Sequence, residues 1–341
     1  MSDAFPELFA KVVDRSLTPD DVGAAVREIL AGRFTAVQVG AFAASLRVLG
    51  ETPEMIVAAA RALRESMVPV DHGLAAVLDT CGTGGDGAST INVSTAAAFV
   101  LASLGVPVAK HGNRSVSSQC GSADVIEALG GTLDAPPARQ AAILRDTSFC
   151  FLFAPHHHPT LRHAAAARRE LAVRTIFNAL GPLANPARAT HQLVGVYSDE
   201  LRPVLARALC DLGVLRAWVV RSEDGLDEVS PERPTRVSVL SDGRIEERVI
   251  SPATFGAKET PVSHAIGGTA EENARGIIAV LRGEPHPARA AVHLNAAAAL
   301  VVARDVSPES AYAEVSRALS AGAPFTVLER WRRALVETTP S

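Results

Sequence analysis

A glycine-rich loop near residue 80 constrains the fold of this chain more than any other feature of its sequence. The chain reads DTCGTGGDG from Asp79 to Gly87. The first two of these residues end the apolar segment Ala75–Thr80, which is predicted to form a strand. Glycines in such a loop (residues 82–87, the glycine loop) let backbone amides approach an anion closely. A helix is predicted next, over Ser94–Leu104. This order predicts an α/β fold that binds an anion at the carboxyl end of a parallel strand.

A second anion-binding turn follows the next predicted strand, Val106–Ala109, where the chain reads KHGNR from Lys110 to Arg114. Lys110 supplies a point charge, and directional hydrogen-bond donors come from Asn113, Ser117 and Ser118. Two such turns at neighbouring strand ends indicate a ligand with more than one phosphate. A solvated surface loop is the alternative explanation of this second turn.

Polar residues beyond the glycine loop extend the predicted phosphate site. Small hydroxyls and an amide at a helix N-terminus are frequent phosphate ligands, and the chain places there Thr90, Asn92, Ser94 and Thr95. Helix capping by Ser94 would explain one of these residues but not all four. Further along, Ser122 is predicted to cap the next helix, which ends at Gly130-Gly131.

Strands alternate with helices over much of the remaining chain, which indicates a mostly parallel central sheet covered on both faces. The further predicted strands are Phe149–Ala154, Leu193–Tyr197 and Ala217–Arg221. Arg236–Leu240 and Arg244–Ile250 flank Asp242-Gly243 and are predicted to form a hairpin. From Thr269 onward the chain is rich in alanine and predicted to be helical.

The N-terminal segment is predicted to form a small helical bundle. Three helices are predicted there from the N-cap signals Thr18-Pro19, Thr35 and Thr52-Pro53. The pattern changes after Pro69. We therefore expect a small helical domain over residues 1–70 and a larger α/β domain over residues 71–341.

The composition narrows the classes of partner. A formal net charge of −4 and an isoelectric point near 6.2 argue against a nucleic-acid partner, which usually requires a basic face. Aromatic residues make up only 4% of the chain, so base-stacking platforms are not expected. The four cysteines include no CxxC pair, which favours buried thiols in a reducing cytoplasm. No signal peptide and no run of about 20 apolar residues is found, so no membrane association is expected.

The glycine loop also matches the GxGxxG pattern of dinucleotide-binding proteins, through Gly82, Gly84 and Gly87. Two observations count against that interpretation. Asp86 lies inside the loop, where its charge would repel a bare pyrophosphate, and the second strand ends in Lys110 rather than in an acidic ribose ligand. An acidic residue beside a phosphate site is better explained by a ribose hydroxyl or a magnesium ion.

Two downstream segments carry candidate residues for a second substrate. The adjacent histidines of His156–His158 diverge and rarely bind one metal ion together, so we expect one of them to face the site. Arg168 and Arg169 offer a guanidinium group that suits a substrate carboxylate. A surface position on a helix is the alternative for either arginine, and we expect it to hold for one of the two.

The segment DGLDE, Asp224 to Glu228, follows the predicted strand Ala217–Arg221. Magnesium is usually held by one or two carboxylates together with phosphate oxygens. The adjacent carboxylates of Asp227 and Glu228 are therefore a candidate magnesium site, with a plain acidic loop as the alternative.

Six segments, in order, resemble anthranilate phosphoribosyltransferase. They are GTGGD, KHGNR, GSAD at Gly121–Asp124, FAPHHHP at Phe153–Pro159, RTIFNALGPLANP at Arg174–Pro186 and DGLDE. The first two are shared more loosely with pyrimidine nucleoside phosphorylases, whereas the asparagine of KHGN, HHHP and RTIFNALGP are more specific. The chain departs from the family in small ways, with Thr160-Leu161-Arg162 where Ala-Met-Lys is common and Ala172 in place of a usual glycine.

The resemblance implies transfer of 5-phosphoribose from phosphoribosyl pyrophosphate to the amino group of anthranilate, in tryptophan biosynthesis. It implies that phosphoribosyl pyrophosphate is bound by Gly82, Gly85, Asp86, Thr90, Asn92, Ser94, Thr95, Lys110, Asn113, Ser117, Ser118 and Ser122. It implies that anthranilate is bound by Gly82, His111, Asn113, His158, Arg168, Gly181 and Pro182. Mg²⁺ would be held by Ser94, Asp227 and Glu228.

The same resemblance implies no protein nucleophile and an electrostatic role for Lys110 and Arg168. It also implies a cytoplasmic homodimer that forms through the helical domain, to which a segment near residues 163–185 would be joined. Two alternatives stay open at this point. One is a pyrimidine nucleoside phosphorylase-like enzyme, which would need ligands for a base edge in place of Arg168 and the Asn113 turn. The other is a non-catalytic relative that binds nucleic acid, which the acidic net charge opposes.

Overall fold

The computed structural model of the chain describes residues 4–85, 87, 90–115 and 119–336. Three predicted site residues, Asp86, Ser117 and Ser118, lie outside the described residues. The strands are β1 (Leu78–Asp79), β2 (Val108–Gly112), β3 (Phe149–Phe153), β4 (His191–Gly195), β5 (Arg216–Ser222), β6 (Thr235–Ser241) and β7 (Arg244–Ile250).

Helices precede, separate and follow these strands. They are α1 (Ala4–Val13), α2 (Pro19–Leu30), α3 (Ala36–Leu49), α4 (Pro53–Ser66), α5 (Val93–Ser103), α6 (Ser122–Ala128), α7 (Pro137–Thr147), α8 (Ala154–His157), α9 (Arg162–Leu171), α10 (Ile176–Ala179), α11 (Leu201–Asp211), α12 (Ala270–Leu281), α13 (Arg289–Arg304), α14 (Pro308–Ser320) and α15 (Ala323–Val336). Among the described residues, no helix is both long and apolar enough to cross a bilayer.

The strands form one sheet in the order β3-β2-β1-β4-β5-β6-β7. The first five in this order pair in parallel, and the hairpin of β6 and β7 continues the sheet in antiparallel pairing. This arrangement confirms the predicted fold class, an α/β domain with a mostly parallel sheet after an N-terminal helical bundle. The strand order changes direction around β1, and because β1 and β2 are parallel their carboxyl ends lie at the same edge of the sheet.

Both faces of the sheet are covered, as β5 shows. Trp218 and Val220 pack in a cluster with α5 and with the helices from α12 to α15. Ala217 and Val219 point the other way, into a cluster with α11 and the N-terminal helices. Successive side chains of a strand alternate between faces, so the apolar run of β5 is explained by burial on both sides.

The predicted N-terminal helices are present, with one addition. Thr18, Thr35 and Thr52 cap α2, α3 and α4, and each hydroxyl accepts a hydrogen bond from the third backbone amide beyond it. Helix α1 was not predicted. Its buried residues, Leu8 and Val12, recur at helical spacing, and that spacing is the signal that could have revealed it.

Two local predictions are corrected by the structure. Ser122 does not cap α6: Gly121 is the capping residue, and its N–H donates a 2.8 Å hydrogen bond to the Asp124 carboxylate. Strand β1 is also shorter than the predicted segment Ala75–Thr80. It ends at Asp79 because the N–H of His111 in β2 bonds to the Asp79 side chain, 3.1 Å away, rather than to a strand carbonyl.

Candidate active site

Lys110 lies where the glycine loop, the start of α5 and the end of β2 meet. Strands β1 and β2 are adjacent and parallel, with Leu78 opposite Val108. The Lys110 side chain is 2% exposed, and its Nζ atom donates to the Thr80 carbonyl at 3.2 Å and to the Ser94 hydroxyl at 3.0 Å. A buried ammonium group is therefore fixed at the strand end that the sequence predicts as the phosphate site.

A buried carboxylate beneath this site was not predicted from the sequence. Asp79 is fully buried, and it accepts hydrogen bonds from the His111 N–H and from Asn185 Nδ2, the latter at 2.7 Å. Asn185 Nδ2 also donates to the Ala109 carbonyl at 2.8 Å. Burial raises the pKa of Asp79 to about 6, and the positive charge of Lys110 opposes that rise. The buried side chains of Asp79 and Asn185 thus fix the end of β2 through its His111 N–H and its Ala109 carbonyl.

The glycine loop is anchored to the end of β4. The N–H of Thr83 donates to the Gly195 carbonyl at 2.9 Å, and the Thr83 hydroxyl accepts from the Tyr197 N–H at 3.1 Å. Gly84 and Gly85 have φ angles of +63° and +81°, which residues with a side chain rarely adopt. The predicted glycine turn is therefore present in the described part of the loop.

The loop that contains Asp227 crosses directly over this anchor. A Cβ atom placed on Gly82 would lie 3.2 Å from Asp227 Oδ2, and one placed on Gly195 would lie 1.5 Å from the Asp227 carbonyl oxygen. Gly195 leaves no room for a Cβ atom against the Asp227 backbone, and a Cβ atom on Gly82 would make a tight contact with the Asp227 carboxylate. The negative charges of Asp79 and Asp227 add to the effect of burial in raising the pKa of the Cys81 thiol. The chain after Glu228 is held by Asn295, whose Oδ1 accepts from the Val229 N–H at 2.8 Å.

Three of the predicted phosphate ligands are already engaged or enclosed by protein. The Asn92 side chain accepts from Asn273 Nδ2 at 3.0 Å and donates to the Cys120 carbonyl at 3.4 Å. Thr90 forms an antiparallel bridge with Ile266. Thr95 is fully buried, and its hydroxyl has no partner among the described residues. Asn273 was not predicted, because it lies 181 positions from the residue it contacts.

The predicted turn at KHGNR begins later than expected, because Lys110, His111 and Gly112 belong to β2, and the residues that follow the strand are held by α6. The Asn113 carbonyl accepts from the Ser122 hydroxyl at 3.2 Å and from the Ala123 N–H at 3.1 Å. Arg114 forms ion pairs with Asp124 and with Glu127, at 2.6 and 2.7 Å. Arg114 therefore stabilises the turn against α6, and the Ser122 hydroxyl lies beside Asn113 as part of the same turn.

The second side of the site forms around His111, the neighbour of Lys110. His111 Nδ1 lies 3.1 Å from the Gly181 carbonyl, and the His111 ring centroid lies 5.2 Å from that of His158. Both rings are buried, and burial lowers the pKa of each, to about 4 for His158. The Ala184 carbonyl near His158 opposes this lowering of the pKa, but it forms no hydrogen bond with either ring nitrogen. Among the described residues, His111 Nε2 and both ring nitrogens of His158 have no partner.

In the histidine run and in the arginine pair, adjacent side chains point to different surroundings, as predicted. His156 and His157 contact the carbonyls of Leu133 and Val68, so His158 is the member that faces His111. Arg168 is half-buried with its guanidinium carbon 6.0 Å from the Phe177 ring centroid, whereas Arg169 is exposed.

The Arg168 guanidinium is a cation without an anion in the described part of the chain. Burial lowers its pKa, and no carboxylate there pairs with it. A partly desolvated cation favours an anionic partner, so its surroundings suit a ligand that carries a carboxylate. Within the described ranges, no group of three or more His, Cys, Asp or Glu side chains could hold a metal by itself. A metal here would need ligand oxygens as well as protein oxygens.

Comparison with known proteins gives one consistent result. The helical bundle domain of a glycosyl transferase family matches residues 6–67, and the a/b domain of that family matches residues 74–325. The anthranilate phosphoribosyltransferase of Symbiobacterium thermophilum is 46% identical over 93% of this chain and 94% of that protein. The enzyme of the same name from Myxococcus xanthus is 49% identical over 87% of this chain and 88% of that protein.

Solved structures agree with the sequence relatives. The anthranilate phosphoribosyltransferase of Thermus thermophilus superposes with a TM-score of 0.91 at 39% identity, covering 98% of this chain and 99% of that one. The enzyme of Saccharomyces cerevisiae in complex with PRPP and Mg superposes with a TM-score of 0.90 at 28% identity, covering 98% of each chain. The same yeast enzyme is also known in complex with 4-fluoroanthranilate. Both family domains match, and a relative is 46% identical over 93% of the chain; the chain therefore belongs to the anthranilate phosphoribosyltransferases of the glycosyl transferase family.

Proposed function

We propose that the chain carries out the reaction of its family at the sheet edge where β1 and β2 end. The observation that carries this assignment is the opposite orientation of two adjacent side chains. Lys110 points to the glycine loop and to α5, whereas His111 points to the Gly181 turn. Because successive side chains of a strand point to opposite faces, one strand end serves two substrates, phosphoribosyl pyrophosphate and anthranilate.

The reaction needs positioning and electrostatics rather than a protein nucleophile. The amino group of anthranilate is neutral at pH 7, so its lone pair can attack the ribose carbon without a strong base. The diphosphate that leaves is highly charged and departs only when that charge is stabilised. The buried ammonium group of Lys110, fixed by Thr80 and Ser94, is placed for that role. Because the fixed charge needs no reorganisation during the reaction, it favours the transition state.

The residues proposed for phosphoribosyl pyrophosphate surround Lys110. The backbone of Gly82 and Gly85 would approach the diphosphate, and the α5 N-terminus would add its amides. Polar side chains around this point complete the proposed set within the described residues, namely Thr90, Asn92, Ser94, Thr95, Asn113 and Ser122. Asp86, Ser117 and Ser118 stay predictions from the sequence.

The residues proposed for anthranilate include Arg168 and His111, with the Gly181 and His158 groups that His111 contacts. Arg168 would bind the carboxylate, since its guanidinium has no anionic partner in the described part of the chain. The rings of His111 and His158, neutral at pH 7 because burial lowers the pKa of each, would contact the aromatic ring. Gly82, Asn113, Gly181 and Pro182 complete the proposed set.

Mg²⁺ fits the carboxylates that face the glycine loop. A Cβ atom on Gly82 would lie 3.2 Å from Asp227 Oδ2, so a carboxylate oxygen lies beside the glycine loop that is proposed to bind the diphosphate. Hard oxygen donors of this kind suit Mg²⁺, and the yeast relative is known with PRPP and Mg. We propose that Asp227 and Glu228 hold the ion with Ser94, and the bound ion would neutralise diphosphate charge.

A test of the magnesium proposal uses loss of anthranilate fluorescence with phosphoribosyl pyrophosphate present. The wild-type protein should consume anthranilate only when magnesium is added. A variant with Asp227→Ala and Glu228→Ala should turn over slowly, and added magnesium should restore it only in part. The exposed Glu223 of the same loop provides the control, Glu223→Ala, which should behave as wild type. Unchanged turnover of the double variant across a magnesium titration would refute the metal assignment.

The helical bundle also offers the surface for the proposed homodimer. Val37 and Val48 lie on one face of α3 and are 81% and 86% exposed, and Phe9 and Val13 of α1 are exposed as well. Four exposed apolar side chains on two neighbouring helices indicate a protein interface, and we propose a second copy of this chain as the occupant. Val37→Glu together with Val48→Glu should convert a dimer to a monomer in sedimentation equilibrium.

The domain limits and the location are proposed on similar grounds. Helix α9 packs on α2 and α3, and its Ala164 and Ala167 belong to the same hydrophobic cluster as the bundle. We therefore assign residues 1–70 and a segment near 163–185 to the small domain, and the rest of residues 71–341 to the α/β domain. All four cysteines are free, which fits the proposed cytoplasmic location.

A further inference from the structure

Arg174 connects the glycine loop to the segment that carries the anthranilate-side residues. It lies between α9 and α10, and its Nη2 group donates a hydrogen bond to the carbonyl of Gly85. Its guanidinium carbon lies 4.2 Å from the centroid of the Tyr197 ring. Arg174 forms no ion pair with an acidic side chain in the described part of the chain. Its observed contacts therefore both lie at the glycine loop and its anchor.

The Tyr197 ring is a fixed support for this arginine. The Tyr197 N–H donates to the Thr83 hydroxyl at 3.1 Å, and Thr83 is itself bonded to the Gly195 carbonyl at the end of β4. Attraction between a guanidinium and an aromatic face also orders a long side chain that is otherwise flexible. Arg174 thus reaches Gly85 from a ring that is attached to the start of the same loop.

The glycine loop needs such a restraint from outside itself. Glycine adopts positive and negative φ with similar ease, so Gly84 and Gly85, at +63° and +81°, could relax into other conformations. A hydrogen bond from a charged donor is about twice as strong as one between neutral groups. The bond from Arg174 therefore selects one conformation of the loop before any ligand is bound.

We propose that Arg174 is a positioning residue for diphosphate binding, which acts through the Gly85 carbonyl and is supported by the Tyr197 ring. The inference rests on the proposed function, since it assumes that the glycine loop binds the diphosphate of phosphoribosyl pyrophosphate. Arg174 and Arg168 lie on one segment, six positions apart. The same segment then contributes Arg168 to the anthranilate side and Arg174 to the geometry of the diphosphate side.

The experiment measures binding by calorimetry, with magnesium phosphoribosyl pyrophosphate and with magnesium pyrophosphate as probes. Arg174→Met should raise the Kd of both probes roughly tenfold, because one charged hydrogen bond is lost. Arg174→Lys should restore part of the affinity, since an ammonium group can still donate to the carbonyl. Anthranilate affinity and kcat at saturating substrate should stay close to wild type. Arg162→Met, at an exposed arginine that opens α9, is the matched control and should change nothing.

Two variants of Tyr197 test the mode of action. Tyr197→Phe keeps the ring and should bind both probes as wild type does. Tyr197→Leu removes the aromatic face and should weaken binding by roughly three- to fivefold. The loss in Tyr197→Leu should be smaller than in Arg174→Met, because Arg174 can still donate to the Gly85 carbonyl but is no longer supported by the ring.

Each contrary result has a defined meaning. Wild-type affinity in Arg174→Met would overturn the inference, as would an equal loss of anthranilate affinity, which would indicate general structural damage. Loss of pyrophosphate binding in Arg174→Met with full affinity in Tyr197→Leu would make Arg174 a direct phosphate ligand instead, and would also overturn it. If the wild-type protein itself bound neither probe, the proposed function would fail, and that failure is distinct from the others.

Discussion

The two halves of the site differ in how their polar groups are satisfied. On the diphosphate side, Lys110, Asp79 and Asn92 all hydrogen-bond to other protein groups, and Thr95 is the exception. On the anthranilate side, the buried nitrogens His111 Nε2, His158 Nδ1 and His158 Nε2 have no partner among the described residues. Among the described residues, the diphosphate side therefore has most of its polar groups bonded to protein, whereas the anthranilate side leaves three ring nitrogens for a ligand to contact.

This difference indicates how each half contributes to binding and chemistry. A buried polar atom without a hydrogen bond costs free energy, and a ligand that supplies the bond recovers part of it. If anthranilate binds as proposed, contacts to the ring nitrogens of His111 and His158 would add to its affinity. The diphosphate side instead fixes its charge in advance, so less of its stabilisation is lost to reorganisation when the leaving group departs.

The largest effect should follow from removing the fixed charge. Lys110→Met should lower kcat/KM for phosphoribosyl pyrophosphate by about 10²–10³, a loss comparable to that of one oxyanion-stabilising donor. It should also raise the pKa of buried Asp79 further, because Lys110 is the main group that opposes the effect of burial. Steady-state kinetics with both substrates varied will measure the first effect. Lys258→Met, at an exposed lysine, is the control, and equal activity of the two variants would remove Lys110 from the mechanism.

A smaller and more selective effect should follow on the anthranilate side. Arg168→Ala should raise the KM of anthranilate by about ten- to a hundredfold, the value of one charged hydrogen-bond partner. The affinity for phosphoribosyl pyrophosphate should stay nearly unchanged, because the contact found for the Arg168 guanidinium is with the Phe177 ring and not with a residue proposed for the diphosphate. Calorimetric titration of each substrate will separate these outcomes.

Arg169→Ala is the matched control for this prediction, because adjacent residues on a helix diverge by about 100°. Arg169 is exposed and Arg168 half-buried in the structure, so the control should behave as wild type. A defect in Arg169→Ala without one in Arg168→Ala would reverse the assignment. If neither variant is impaired, the carboxylate is bound by Asn113 or the histidines, and the contrast between the two halves no longer rests on an arginine.

The elements of the site could be predicted from the sequence because their signals are local. The glycine loop, KHGN, the N-cap threonines and the apolar strands each depend on residues within one turn or strand. Local signals also set the limits of this approach. The serine at position 122 is a typical capping residue, but the cap is Gly121, one position earlier, and the Asp124 side chain accepts the capping bond from its N–H.

The contacts that join these elements could not be predicted in the same way. Asp79 bonds to Asn185 across 106 positions, and Asn92 bonds to Asn273 across 181. Arg174 reaches Gly85 across 89 positions. Each pairing depends on strand order and loop paths that no local pattern encodes. The structure therefore adds the side chains that fix the site, while the sequence indicated those that would touch the substrates.

The last expected effect is on stability at acid pH rather than on activity, and it concerns the half whose ring nitrogens are unpaired among the described residues. Burial lowers the pKa of His158 from 6.5 to about 4, so the unfolded chain binds a proton on this residue before the folded protein does. The stability that His158 contributes is thus fully present above pH 6.5 and is lost as the pH falls toward 4. The loss should be on the order of 3 kcal/mol over that window. Burial lowers the pKa of His111 and His157 in the same direction, so they add to it.

His158→Gln removes this titration and should reduce the fall in the free energy of unfolding between pH 6.5 and 4, measured by urea denaturation at several pH values. Above pH 7 the free energy of unfolding of both proteins should depend on pH in the same way, because the wild-type ring is neutral in both the folded and the unfolded state. His156→Gln, at the neighbouring position in the same run, is the control for the effect of a histidine-to-glutamine change there. An unchanged slope in His158→Gln would mean that this ring is hydrated or paired in solution. The anthranilate side would then resemble the diphosphate side, with its polar groups already satisfied, and the contrast between the two halves would narrow to Arg168 alone.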